Sequence, residues 1–299
     1  VFLPFKDNLK SASFPVATAI LIALNCAVYY FATSDPVANY TGAILYGLVP
    51  YELTHAGMQC VPLTSPTDMF CGTPAQVHAY YPGLPLPSTM LTIVTSMFLH
   101  GGLGHLIGNM LYLFVFGRAL ETALGRISYV MIYLLAGVAA ELGQTLWNTS
   151  EQMPMVGASG AIAGVMGAYL LLFPGARVLS LFIIIPCRPR AFWVIGSWIL
   201  LQFYLAWEVA GSGASGGVAV FAHIAGFAAG MALAYYAVGP EQIAKFRRMA
   251  VAFSSDAPIS DGRRERVPIG ARPDQTHVDA QTAPTSAPEQ RYVAPPPTT

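Results

Sequence analysis

The chain has 299 residues, of which 55% are hydrophobic and only 10% charged, against roughly 25% charged in a soluble domain. That composition excludes an ordinary soluble globular protein and points to a membrane protein. Net charge is zero, no nucleic-acid partner is expected, and the lipid bilayer is the implied surrounding.

About 20 apolar residues are needed to cross roughly 30 Å of hydrocarbon. Six candidate spans are read in chain order: 14–32, 104–120, 127–147, 155–173, 191–209 and 217–238. Glycine and polar residues dilute the second and fourth. The fold class expected is all-α, a polytopic bundle of six transmembrane helices over residues 14–239, preceded by a short segment 1–13. No cleavable signal peptide is expected, because the first run is long enough to span and no small-residue cleavage site follows it. The connection from about 33 to 88 is rich in Pro, Gly and Tyr, and a loop of that length usually has structure or a role of its own. Cys60 and Cys71 both fall in it; their pairing is left open by the sequence, and Thr89 to His100 reads either as an interfacial helix or as an early start to span two. Residues 240–299 turn basic and then, from about Ser254, rich in Pro, Ala, Thr and Gln; that composition predicts a disordered tail.

All fifteen basic residues fall on one side of this arrangement. Lys6 and Lys10 precede span one, Arg118 and Arg126 lie between spans two and three, Arg177, Arg188 and Arg190 between four and five, and the remaining eight follow span six. By the positive-inside rule both termini are expected in the cytoplasm of a cell (inner) membrane protein, with the long loop facing outward.

Two polar residues stand out against that apolar background. Ser159 lies in Gly157-Ala158-Ser159-Gly160 near the outer end of span four, and His223 lies among alanines and glycines in span six. A polar or ionisable group at membrane depth is costly and usually faces a partner or a water-filled cavity. Both spans run inward, so at 1.5 Å per residue the two side chains sit roughly 6 to 9 Å below the outer ends. Small residues recur at spacing four, Gly160 with Gly164 in span four and Ala222, Gly226 and Gly230 in span six, as close helix packing in lipid demands. The pair therefore reads as a nucleophile and its general base. No Asp or Glu occurs in span six, so a Ser-His dyad is expected. Donors for an oxyanion are offered by His105 and Asn109, four apart and hence on one helix face, and by the Ser159 N–H; Gly157 belongs to the same substrate-binding loop. His100 reads as structural support. A metal site is disfavoured by the lack of an HExxH motif, a cysteine cluster or a carboxylate beside His105 and Asn109, and no metal or cofactor is expected.

Together, His100-Gly-Gly-Leu-Gly-His105-Leu-Ile-Gly-Asn109, Gly157-Ala158-Ser159-Gly160 and Ala222-His223-Ile-Ala-Gly226 resemble the rhomboid family of intramembrane serine proteases. The resemblance implies a six-helix bundle that cleaves single-pass transmembrane proteins near the outer membrane surface, with Ser159 as nucleophile, His223 as base, and His105, Asn109 and the Ser159 N–H around the oxyanion. Glu121 matches a glutamate of the family, and Gly160, Gly226 and Gly230 support helix packing. Two departures stand out: the outward loop has no arginine, where many relatives carry a Trp-Arg pair, and Ala163 occupies the position from which a tyrosine stacks on the histidine in some relatives. The competing readings are a non-catalytic relative that binds membrane clients, against which both Ser159 and His223 count, and a transporter, against which the lack of internal repeats counts.

Overall fold

The computed structural model describes residues 2–9, 13–34, 45–63, 68–212 and 219–254. The tail expected to be disordered beyond Ser254, Lys10, parts of the outward loop and the start of span six at Gly217 lie outside the described residues. In chain order the elements are β1 Phe2–Asp7, α1 Val16–Thr33, α2 Pro50–Thr54, β2 Gln59–Pro62, β3 Met69–Gly72, α3 Pro74–Tyr80 and α4 Thr89–Thr95, the last running into one 3-10 turn, Ser96–Phe98. The helical bundle follows with α5 Leu103–Leu124, α6 Arg126–Trp147 and α7 Ser159–Leu172. Strands β4 Val178–Phe182 and β5 Ile185–Cys187 lead into α8 Ala191–Ser212, α9 Val220–Val238 and α10 Pro240–Ser254.

Five of these helices, α1, α5, α6, α8 and α9, are long and apolar enough to cross a membrane. The fourth expected span differs. Its helix starts only at Ser159 and has 14 residues, about 21 Å against the roughly 30 Å of hydrocarbon. The preceding residues are committed elsewhere: Met155 N–H donates to Leu48 O at 2.7 Å and Gly157 N–H to Ser96 O at 2.9 Å. Gly157 also has φ +137°, a conformation that ends any helix and that a side chain rarely adopts.

Short as it is, α7 forms the centre of the bundle. Every residue from Gly160 to Tyr169 is buried, as expected of a helix apolar on all sides. Its small face lets α9 approach until backbones touch: a methyl group at Gly226 would fall on Gly160 O, and one at Gly230 on the backbone of Gly164. The same glycines meet α6 as well, Gly164 at Ala136 and Gly160 at Ala140.

The chain is mostly helical, but two small sheets modify the all-α expectation. Strand β1 pairs antiparallel with β4, which pairs with β5, at the end of the bundle away from Ser159. Asp7, at the end of β1, is ion-paired with Arg118 and accepts from Tyr169 Oη at 3.0 Å, so the N-terminal strand is strapped to α5 and α7. Burial pushes the Asp7 carboxyl up despite that pairing. On the other side, β2 and β3 form a ribbon closed by a Cys60–Cys71 disulfide, which answers the pairing left open by the sequence. The arginine-free loop is instead held by hydrogen bonds to the 149–155 segment: the Leu48–Met155 bridge, Tyr51 N–H to Glu151 O at 2.9 Å and Thr54 Oγ1 to Thr149 O at 2.9 Å. The buried Glu52 accepts from Cys60 N at 2.7 Å, and burial pushes its carboxyl up to about 7. Thr89–Phe98 is a separate short helix, not the beginning of span two.

Glu121 finds its partners 103 and 104 residues away. Its carboxylate accepts from Ala17 N at 2.9 Å and from Thr18 N and Thr18 Oγ1, both at 2.8 Å. These are donors that the first turn of α1 cannot satisfy internally, and a negative charge at a helix N-terminus is favourable.

Candidate active site

Ser159 is the first residue of α7 and His223 the fourth of α9. The Gly160–Gly226 and Gly164–Gly230 contacts bring the two helices together, and Ser159 Oγ lies 2.9 Å from His223 Nε2. On its other side the ring meets Gln202 of α8, with Oε1 2.8 Å from Nδ1. A carboxamide oxygen accepts but does not donate, so this contact puts the ring hydrogen on Nδ1 and leaves the Nε2 lone pair to accept the Ser159 O–H. His223 and Gln202 are both buried. Trp198, one turn before Gln202, lies with its ring centroid 5.5 Å from that of His223. Thus α8 supplies the support that neither a carboxylate nor a tyrosine at position 163 provides. Neither Gln202 nor Trp198 emerges as a site residue from motif reading, although a lone amide in the middle of an apolar span was a usable signal, because such groups usually bond across helices.

The start of α9 is held as well. Gln144 of α6 accepts from Ala222 N at 3.2 Å, occupying one of the unpaired donors of the first turn, and Trp147 stacks on Phe221 at 3.8 Å between centroids.

His105 and Asn109 lie on the first turns of α5. Asn109 Nδ2 is 2.9 Å from His100 Nε2, and His100 Nδ1 is 3.3 Å from Phe98 O. With Nδ1–H donating to the carbonyl, His100 Nε2 accepts one amide hydrogen of Asn109 and leaves the second free to point elsewhere. His100 therefore fixes the Asn109 amide, and its ring also packs edge-on against His105 at 5.1 Å. The His105 imidazole lies directly over Gly157: a Cβ there would sit 2.8 Å from His105 Cε1, 3.0 Å from Nε2 and 3.5 Å from Ser159 Oγ. Glycine is required at 157 both by its positive φ and by this space. Glu121, Gly226 and Gly230 act at a distance, through α1 and through the α7–α9 contact.

A cavity of about 770 Å³ opens over this cluster, lined among others by His105, Asn109, Met155, Gly157, Ser159, Trp198 and His223. It exists because α7 begins late, leaving a recess that longer neighbours and the 148–158 segment enclose. A hydroxyl, its imidazole acceptor and amide and imidazole donors thus converge on one recess in a protein otherwise built for lipid.

The family model of the rhomboid domain matches residues 87–240, which include every one of these side chains. The chain belongs to the rhomboid family. It is 29% identical over 170 residues to Rhomboid protein 1, mitochondrial, of Saccharomyces cerevisiae, covering 55% of this chain and 47% of that one. It is 35% identical over 89 residues to Rhomboid protease GluP of Bacillus subtilis, 30% of this chain and 17% of that one. A third relative, RHOMBOID-like protein 6, mitochondrial, of Arabidopsis thaliana, is 40% identical over 78 residues, 26% of this chain and 25% of that one. The matches span about half the length of the yeast relative and less of the other two.

Proposed function

We propose that this protein is an intramembrane serine endopeptidase that cuts transmembrane segments of other membrane proteins. The observation that carries the reading is the 2.9 Å contact between Ser159 Oγ and His223 Nε2 at the floor of the recess. In this reading Ser159 Oγ attacks a peptide carbonyl as its proton passes to His223 Nε2. The tetrahedral intermediate then collapses, the C–N bond breaks, and His223 returns the proton to the leaving amine. Water enters by the same base to release the acyl group. Gln202, bonded to Nδ1–H, is a positioning residue that holds the reactive tautomer. The free hydrogen of Asn109, the His105 ring and the Ser159 N–H are the donors for the oxyanion, each of that kind typically worth 10² to 10³ in rate.

The substrate class follows from the same recess. A helix hides its own carbonyls in hydrogen bonds, so a scissile peptide must unwind before it reaches Ser159; single-pass segments with small or helix-breaking residues near the membrane surface unwind at least cost. The six-helix architecture assigned here counts α7 as the short central span, with α1, α5, α6, α8 and α9 around it, the protease domain covering 14–239. Both termini are assigned to the cytoplasm of an inner cell membrane, because the basic residues cluster there. The Cys60–Cys71 disulfide on the opposite side supports that orientation, since disulfides persist in oxidising compartments. The test is covalent labelling by a fluorophosphonate: wild-type protein labels on Ser159, and Ser159→Ala and His223→Ala do not.

A further inference from the structure

The segment joining α7 to α8 is the least expected feature of the fold. Phe182 pairs with Ile185 across a two-residue turn made of Ile183 and Ile184, and these four side chains are 45%, 79%, 82% and 63% exposed. On the neighbouring strand Leu3 and Phe5 of β1 are also exposed, at 42% and 38%, and the Phe2 and Phe182 ring centroids lie 5.1 Å apart. Ile183 has φ +59°, the one non-glycine residue with positive φ among the described residues. Tight hairpin turns of this kind favour Gly, Asn or Asp, and a β-branched residue there is a true outlier. Ile183 is therefore costly in conformation, and in water both isoleucines of the turn are costly as exposed apolar surface.

The base of the hairpin locates it relative to the membrane. Ala191 N–H donates to Ala176 O at 2.7 Å, and Arg177 bridges Arg190, so the hairpin is clamped between the end of α7 and the start of α8. The first turn of α8 exposes Phe192 and Trp193 at 52% and 62%, aromatic residues of the sort that collect at the membrane–water interface. Arg188 and Arg190 are exposed within this connection, which contains no Asp or Glu from 174 to 190. At roughly 3.3 Å per residue the five residues of β4 keep the tip within about 16 Å of that level. Edge strand β5 has backbone groups without a strand partner, which bars the hydrocarbon centre but not the headgroup region.

We infer that the Phe182–Ile185 hairpin is a lipid anchor that inserts into the headgroup and upper acyl region of the leaflet opposite the Ser159 recess, with Arg188 and Arg190 on anionic phospholipid headgroups. It reads the membrane independently of the chemistry at Ser159. Insertion removes the isoleucines from water, and the arginines give the site its charge preference.

The test uses the full chain carrying Cys26→Ser and Cys187→Ser, with Ile184→Cys bearing an environment-sensitive fluorophore. The protein is reconstituted in vesicles of phosphatidylcholine alone or mixed with phosphatidylglycerol. Nitroxides on the lipid chain near the glycerol should quench the Ile184 label more strongly than nitroxides at the chain end. A reference label at Glu241→Cys, three residues past the end of α9, should be quenched less strongly than the Ile184 label. Adding Arg188→Ala and Arg190→Ala should reduce the quenching in phosphatidylglycerol vesicles and leave it unchanged in pure phosphatidylcholine. A label quenched no more than the reference overturns the inference. So does a label shielded only at high protein-to-lipid ratio, which would mean that a second copy covers the hairpin. An arginine pair without effect in phosphatidylglycerol overturns the headgroup assignment. Ile183→Cys repeats the measurement should the first variant not fold, as judged by its helical circular dichroism and melting.

Discussion

Replacing Gln202 by leucine removes the carbonyl 2.8 Å from His223 Nδ1 while keeping the side chain close to its original volume. Gln202 and His223 are only 4% and 8% exposed, so bulk water does not readily replace the lost acceptor. An unsatisfied buried donor costs about 1 to 3 kcal/mol. The ring escapes that cost by moving its hydrogen to Nε2 or by rotating, and either change denies Ser159 its proton acceptor. At about 1.4 kcal/mol per tenfold change, Gln202→Leu is expected to slow fluorophosphonate labelling and kcat by about 10- to 100-fold. Gln202 is not among the residues lining the recess, so KM should stay near its wild-type value, a split that general loosening of the bundle would not produce. Gln202→Glu keeps an acceptor in place and should restore most of the labelling rate. A Gln202→Leu protein that melts as wild type and labels at the wild-type rate would refute the assignment of Gln202 as the group that orients the imidazole.

Other outcomes follow from the same contacts. Glu121→Ala strips three hydrogen bonds from the first turn of α1 and should lower stability by about 3 kcal/mol, read as a reduced melting temperature in detergent. Gly226→Val drives a side chain into Gly160 O; it should force α9 away from α7 and abolish labelling, whereas a valine at the exposed Gly104, whose Cβ meets nothing within 4 Å, should leave the α7–α9 contact and the melting temperature nearly unchanged. Glu52 has its carboxyl raised to about 7 by burial, so the neutral form is the one the fold favours. Its contribution is complete below the ordinary carboxylate range and is lost as pH rises through about 7. Wild-type protein should therefore melt at a lower temperature at mildly alkaline than at mildly acidic pH relative to Glu52→Gln, and a constant difference across that range would contradict this.

The parts of the site that were legible in the sequence are those where a polar residue breaks an apolar run. Ser159 and His223 each do so singly in separate spans, His105 and Asn109 do so four apart on one helix face, and glycines four apart signalled the close α7–α9 contact. What stayed hidden depends on distance along the chain. Gln202 lies 21 residues from His223 on a helix whose rotation hydropathy does not fix. The partners of Glu121 are chiefly backbone N–H groups at the start of α1, which carry no sequence signature. The late start of α7 was invisible to an apolar count, because Met155, Val156 and Ala158 are as apolar as a span requires; only the φ of Gly157 and its bond to Ser96 O turn them into loop. The β1–β4–β5 sheet was missed for a related reason, since its strands are short apolar runs beside longer helical ones and β1 pairs with β4 across more than 170 residues.

The most direct measurement is mass spectrometry of the fluorophosphonate adduct on protein reconstituted in lipid. A single adduct on Ser159, lost in His223→Ala and accompanied by loss of cleavage of a transmembrane substrate, is the result expected. A folded protein that carries no adduct on Ser159, or that cleaves the same peptide bond as Ser159→Ala, would contradict the assignment of Ser159 as the nucleophile.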